Sequence, residues 1–377
     1  MSFRTGSLCS GYDGLAMGIQ AVLGGELVFV ADNDNGPVKI LAHRYPGVPN
    51  LGDISKVDWR EAGRVDLLCM GFPCKDVSAA GGRAGLRAGN RSGVWTYCAQ
   101  AIDELRPDLV VIENVRGLLS TGADSPVEPC PWCVGDQRDQ PALRALGAVL
   151  GDLADLGFDA EWLGLPASDP RNGACHERWR EFILAWPATE DADGPAGSER
   201  RPAAPGQAES WRAWAHPGGR GGLPLAPTGR LNLLPTPAAR DWKSGASNLM
   251  EHNSRPLNEV AVNMLAGVQM PGAQWIATDG TDYGPAIRRW EQVTGRPAPC
   301  PTEPGDRGNR RLSALFTEWM MGLPAGWVTG VPGLSRDEQL IALGNGCVPR
   351  QVALALSLLL ERVPAGALAF LDGVNAA

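Results

Sequence analysis

The chain reads as an α/β protein built on a doubly wound, mostly parallel sheet, with a smaller loop-rich second domain. Two observations predict this. Short apolar runs bounded by Gly, Pro, Asn or Asp recur with helical stretches through the first half, and several are apolar on both faces, as strands buried between helix layers are. From Pro187 the texture turns Pro- and Gly-rich, with few strand or helix runs. Residues 1–186 are therefore expected to form the site-bearing domain, with a loop inserted at 121–140. Residues 187–309 form the second module, and 310–377 a closing segment that returns to the first domain.

Taken in order, Arg4 to Cys9 reads as a first strand, Ser10 to Gly14 as a tight turn and Leu15 to Leu23 as a helix. That is the opening of a nucleotide-binding βα unit. The turn is not Gly-x-Gly-x-x-Gly, and Asp13 would repel a pyrophosphate, so a ligand with an adenosine but no phosphates fits better. Leu27 to Ala31 is a second strand ending in Asp32-Asn33-Asp34, and Asp32 stands where such folds place the acceptor of ribose hydroxyls. A third short strand is expected before Gly52-Asp53-Ile54, with Asp53 placed to accept an adenine amino group. Val65 to Met70 is then the fourth strand and Leu109 to Ile112 the fifth. Pro141 to Leu156 has one apolar helical face, and Phe158 to Leu165 and Glu181 to Trp186 read as the last two strands.

The fourth strand runs into Gly71-Phe72-Pro73-Cys74, which sets a thiol at the functional rim of the sheet. The plain alternative is a buried structural cysteine. After it comes a glycine-rich loop in which Lys75, Arg83, Arg87 and Arg91 face one acid, Asp76. Such a loop can move and contact phosphates, or can be an ordinary solvated loop. Glu113 follows four apolar residues on the same rim, as a partly desolvated proton donor or as an acid capping a loop. In a strand Arg178 and Arg180 point to the same side, and two guanidiniums there suit a carbonyl plus a carboxylate or phosphate; the alternative is a solvated face. Cys130 and Cys133 have zinc-ligand spacing, but no second Cys-x-x-Cys exists to complete a site, so no metal is expected unless Cys175-His176 joins them.

The net charge of −8 is a mild argument against nucleic acid as partner, but the 187–310 segment holds thirteen acids and thirteen bases, so a neutral-to-basic cleft on an acidic body is compatible with it. Nine scattered cysteines indicate a reducing cytoplasm, and neither a signal-peptide pattern nor a run of membrane-span length is evident. Arg311-Leu312-Ser313 opens a helix through Met321, stopped by Gly322-Leu323-Pro324. Leu343-Gly344-Asn345-Gly346-Cys347 leads into a closing apolar helix, Arg350 to Glu361.

The motif set and its order resemble the cytosine-C5 DNA methyltransferases, bacterial or bacteriophage type. The motifs are the turn at Gly11–Leu15, Asp32, Asp53, Pro73-Cys74, Glu113-Asn114-Val115, Arg178-x-Arg180, Arg311-Leu312-Ser313 and Gly344-Asn345-Gly346. The resemblance implies a Rossmann-like methyltransferase fold that uses S-adenosylmethionine. It implies Cys74, Glu113, Arg178 and Arg180 as catalytic, and Cys9, Gly11, Tyr12, Gly14, Leu15, Asp32, Asn33, Asp53, Pro73 and Asn345 around the cofactor. Lys75, Ser78, Arg83, Arg87 and Arg91 would touch nucleic acid. Double-stranded DNA with a flipped-out cytosine is the implied substrate, a cognate restriction endonuclease an admissible partner, and a cytoplasmic monomer the expected form. Departures are Cys9 and Asp13, where the family usually has Phe and Gly, and Lys75, where it usually has Gln. A tRNA cytosine methyltransferase, a non-enzymatic DNA-binding relative and a dinucleotide oxidoreductase are the weaker readings.

Overall fold

The computed structural model describes residues 3–72, 93–119, 122–123, 143–188, 231–243, 256–264, 275–305 and 308–368. In chain order come β1 (Arg4–Leu8), α1 (Gly14–Leu23), β2 (Glu26–Ala31), α2 (Asn35–Arg44), β3 (Leu67–Met70), α3 (Val94–Leu105) and β4 (Leu109–Val115). After these come α4 (Ala145–Asp155), β5 (Phe158–Pro166) and β6 (Trp179–Pro187). The main sheet has the order β2-β1-β3-β4-β6-β5. β1 to β4 pair in parallel, while β6 runs antiparallel to both β4 and β5. The expected α/β class and mostly parallel sheet are thus present. β3 is buried at all four residues and β4 at its first six, as strands sandwiched between helices must be.

Three local expectations need correction. The strand expected before Gly52 does not form: Asn50 makes a single bridge to Val30, because Pro49 has no N–H to extend a ladder. The strand ending at Met70 is therefore the third. Arg178 is not in a strand either. Its φ of 34° is left-handed, and β6 begins one residue later at Trp179, so Arg178 and Arg180 do not share a strand face. The helix expected from Arg311 starts later, because Arg310–Leu312 pairs as an antiparallel strand with Thr302–Pro304. Ser313 then caps α7 (Ala314–Met320), taking the Phe316 N–H.

The 187–309 segment holds helices the sequence reading missed, α5 (Leu257–Val262) and α6 (Gly284–Thr294). Ala286, Ile287, Trp290 and Val293 give α6 a buried face, and these residues share one apolar core with Leu234, Phe316, Trp319 and Leu343. The Trp290 indole N–H donates to the Trp319 carbonyl at 2.9 Å. α8 (Arg336–Asn345) and α9 (Pro349–Leu360) close the fold, and α9 packs on α1 with Gly18 against Val352. By length and composition Arg336–Leu360 is apolar enough to cross a membrane, but it is broken into two helices and its most apolar 18-residue window is 72% buried inside the protein.

From the last turn of α8 into the link to α9 the chain passes very close to its neighbours. A Cβ on Gly344 would lie 2.2 Å from the Ala238–Ala239 backbone, and one on Gly346 would lie 2.0 Å from the Tyr12 ring. These distances explain the Gly-Asn-Gly sequence without invoking any special backbone angle. Gly344→Ala should accordingly lower unfolding stability by about 1–3 kcal/mol, read as a fall in the denaturant midpoint; an unchanged midpoint would show that the 238–239 segment yields freely.

Candidate active site

The site is built on the carboxyl ends of β1, β2, β3 and β4. After β1 the chain bends at Cys9 (φ 50°) into a turn closed by the Asp13 amide on the Ser10 carbonyl at 2.7 Å. The Gly11 amide donates to Asp32 Oδ2 and the Asp34 amide to Asp32 Oδ1, both at 2.9 Å. Asn50 adds a clamp that sequence reasoning missed. Its Oδ1 accepts from the Asp32 and Gly52 amides and its Nδ2 donates to the Asp32 carbonyl. Burial raises the Asp32 pKa above the usual carboxylate value, with the Gly11 and Asp34 amides opposing that shift. Among the described residues, the turn Cys9–Gly14 and the β2 end contain no cation, and Asp32 offers a hydroxyl acceptor there. These residues fit an adenosine better than a dinucleotide.

The other cofactor expectations divide. Asn33 and Asn345 are exposed. Asp53 caps the turn Ile54–Lys56. Its Oδ1 takes the Ser55 hydroxyl at 2.7 Å and the Ser55 amide at 3.1 Å, and these bonds lower its pKa. Gly14 starts α1, where a Cβ would meet the Cys347 carbonyl at 2.5 Å. Leu15 is a core residue of α1. The Tyr12 ring is fully buried and its hydroxyl donates to the Cys347 carbonyl at 2.5 Å, so its side chain anchors the closing segment instead of lining the crevice. Asp13 is also fully buried, accepting from the Ser7 hydroxyl at 2.8 Å, and hence does not face a ligand phosphate.

On the β4 side, Glu113 is 9% exposed and pairs with Arg180, with Nε to Oε1 at 2.6 Å. The strand register explains the contact: Glu113 is paired with Phe182 and Val115 with Arg180, so Arg180 sits two pairs along, a diagonal neighbour of the acid on the same face. Gly71 lets β3 leave the sheet beside the acid, since a Cβ there would be 3.2 Å from Glu113 Oε2. Asn114 Nδ2 holds the Phe72 carbonyl at 3.3 Å. Pro73 and Cys74 come next in the sequence and lie outside the described residues, as do Lys75, Ser78, Arg83, Arg87, Arg91, Cys130 and Cys133.

Arg178 takes a different part from the one expected. Its guanidinium is buried and donates to the Pro237 carbonyl at 2.8 Å, the Gly344 carbonyl at 3.0 Å and the Gly346 carbonyl. Burial, then the neighbouring Arg180, lowers its pKa to about 10. It is a clamp between segments. Cys347, another residue sequence reasoning did not single out, has its thiol pKa raised by burial and then by Glu113. Cys175 and His176 are core residues. The His176 Nε2 lies 3.0 Å from the Met320 carbonyl, and burial lowers its pKa to about 3. Among the described residues, no group of three or more His, Cys, Asp or Glu is placed to hold a metal ion.

A doubly wound sheet with an acid-ended second strand and a paired Glu–Arg at the neighbouring rim defines a nucleotide-ligand-using α/β enzyme class. Residues 3–203 match the family model described as C-5 cytosine-specific DNA methylase, and the chain belongs to that family. It is 35% identical over 187 residues to a protein of Escherichia phage P1 named DNA N-6-adenine-methyltransferase, covering 46% of this chain and 22% of that protein. It is 25% identical over 337 residues to the type II methyltransferase M.NaeI of Lentzea aerocolonigenes, covering 87% and 67%. The chain thus spans about a fifth of the phage P1 protein and two thirds of M.NaeI. In fold it is similar to the Dnmt2 methyltransferase of S. pombe, with TM-score 0.54 at 14% identity over 96% of this chain and 99% of that one.

The buried Asp13 gives a pH dependence with a definite sign. Desolvation raises its pKa from 3.8 to about 7, so the folded state holds a proton that the unfolded state has released across that window. Stability should fall as pH rises from about 4 to 7, at a slope approaching about 1.4 kcal/mol per pH unit from this group. Asp13→Asn keeps an acceptor for Ser7 and should lack that slope. Parallel wild-type and Asp13→Asn unfolding curves across the window would show that Asp13 is ionised and stabilised there.

Proposed function

We propose that this chain is a DNA (cytosine-5-)-methyltransferase that uses S-adenosylmethionine. The observation that carries the reading is the Glu113–Arg180 pair at 2.6 Å on the strand beside the one leading to Pro73-Cys74. Cytosine C5 is a weak nucleophile, so the ring must first be activated by a covalent addition. In this reading the Cys74 thiolate forms a bond to C6 while Glu113 supplies a proton to N3, leaving an enamine whose C5 is nucleophilic. Arg180 holds Glu113 in place and offers its remaining N–H groups to the base carbonyl. Bound S-adenosylmethionine supplies an electrophilic methyl group on a sulfonium. Once C5 is methylated, its proton passes to water, the Cys74 sulfur leaves C6 as a thiolate and the N3 proton returns to Glu113, which restores the neutral aromatic ring.

Arg178 has no contact role in this scheme; it positions Arg180 by fixing the start of β6. Asp32 accepts ribose hydroxyls, while Cys9 and Gly11 form the floor of the turn. The reacting carbon cannot be reached in a stacked duplex, so the base must be flipped out. The loop with Lys75, Ser78, Arg83, Arg87 and Arg91 is proposed to close on the DNA, and the 187–309 module to select the sequence. A restriction endonuclease with the same target is a natural partner, because relatives of this chain carry type II methyltransferase names.

The phage P1 relative's name raises adenine N6 as a second reading. Direct transfer to an exocyclic amine needs no thiol adduct, and the matched segment is only 22% of that protein. A duplex carrying 5-fluorocytosine at the target separates the two. Methyl transfer can occur but elimination cannot, so the enzyme should remain attached through denaturing electrophoresis when S-adenosylmethionine is present. The adduct should vanish in Cys74→Ser and form about 100-fold more slowly in Glu113→Gln. Methylation of adenine without any trapped complex would overturn the cytosine reading.

A further inference from the structure

Past Glu113, β4 carries on to Val115 and hands over to Arg116, the exposed first residue of the turn Arg116–Leu119. The ladder pairs Val115 with Arg180, so one further step sets Arg116 opposite Trp179 at the start of β6. The two side chains meet there, with the Arg116 guanidinium carbon 5.2 Å from the centroid of the Trp179 ring. A cation over an indole face is held electrostatically, and the contact presets a long side chain that would otherwise swing freely.

Trp179 is itself fixed by its neighbours. Its indole N–H donates to Glu181 Oε1 at 2.8 Å, and its carbonyl accepts from Arg180 Nη1 at 2.9 Å. Gly164 on β5 leaves room for the indole, since a Cβ there would lie 2.8 Å from Trp179 Nε1 and 2.7 Å from Glu181 Oε2. The ring under Arg116 is thus tied to the same Arg180 that pairs with Glu113. Glu181 is buried whereas Arg116 is exposed, so the charge this corner presents to solvent is positive.

A strand advances about 3.3 Å per residue, which puts the Arg116 backbone roughly 10 Å beyond Glu113 on the outward side of the rim. A flipped nucleotide whose ring meets Glu113 must trail its sugar and phosphates outward past that point. Stacking takes the flat face of the guanidinium and leaves its N–H edge, the part that forks onto phosphate oxygens. We infer that Arg116, preset by Trp179, binds a backbone phosphate of duplex DNA beside the reacting base. The inference rests on the DNA-modifying reading and adds to it a backbone-binding residue outside both the glycine-rich loop and the 187–309 module.

The test is a titration of the full chain with duplex DNA at several salt concentrations. The duplex carries the sequence found methylated by bisulfite sequencing of DNA from cells expressing the chain, or a mixed sequence if none is found. Arg116→Gln should flatten the slope of log affinity against log salt by about 0.9, the share of one phosphate, and weaken binding roughly 5-fold in low salt. Arg116→Lys keeps the charge, so it should restore the slope and only part of the affinity. Trp179→Leu removes the platform and should weaken binding at a near wild-type slope. Arg60→Gln, which removes an exposed cation from the segment entering β3, should leave the slope unchanged. An unchanged slope in Arg116→Gln, or equal flattening in Arg60→Gln, would overturn the inference. If Arg116→Gln does not fold, undiminished affinity in folded Arg116→Lys and Trp179→Leu overturns it instead. Methylation by a chain whose slope ignores Arg116 defeats this contact alone. The predicted flattening in a chain that methylates nothing defeats the proposed function alone, and a wild type that binds no duplex defeats both.

Discussion

The fold depends on one buried cation. The Arg178 guanidinium sits between the start of β6, the 237–239 segment of the second module and the chain between α8 and α9, held by backbone carbonyls from the last two. A charge placed there is costly unless acceptors meet it, and three carbonyl dipoles meet its terminal nitrogens without adding an opposite charge, while Nε has no partner among the described residues. The same junction is closed by contacts that admit no side chain, Gly344 on Ala238–Ala239 and Gly346 on Tyr12. The Tyr12 hydroxyl on the Cys347 carbonyl and the Trp327 indole on the Tyr12 carbonyl then carry the tie back to the cofactor turn. Parts of the chain more than 300 residues apart thus set the floor of one crevice.

With that frame fixed, the rim chemistry is a matter of strand register. β4 presents Glu113 near its end, antiparallel β6 presents Arg180 two pairs away on the same face, and β3 passes the acid at Gly71. On the cofactor side, Asp32 and Asn50 gather the first turn and the Gly52 turn around one carboxylate. The covalent cytosine mechanism proposed above would use such an acid and cation beside the segment that leads to Cys74.

Much of this was legible from residues 1–186. Apolar runs ending in Asp32, Met70 and Glu113 located the strands of the mostly parallel sheet. What escaped depends on tertiary partners. Nothing local marks Arg178 as a clamp, since its acceptors lie 59 to 168 residues away. Asp13 reads as an acid facing a ligand until β1 places Ser7 beside it, and Tyr12 reads as a crevice residue until the closing segment covers it. Two misses did carry a signal. Ser335 and Glu338 form a capping box that announces α8, and Pro285 with the Ile287–Trp290–Val293 spacing announces α6.

The central claim is that Arg178 couples the second module and the closing segment to the catalytic rim. Native-state hydrogen exchange on Arg178→Met compared with wild type tests it most directly. The account predicts a shared loss of protection across 238–242 and 342–352, with β1, β3 and the interior of β4 as protected as before. Protection unchanged in both segments, or lost uniformly over the whole sheet, would contradict it.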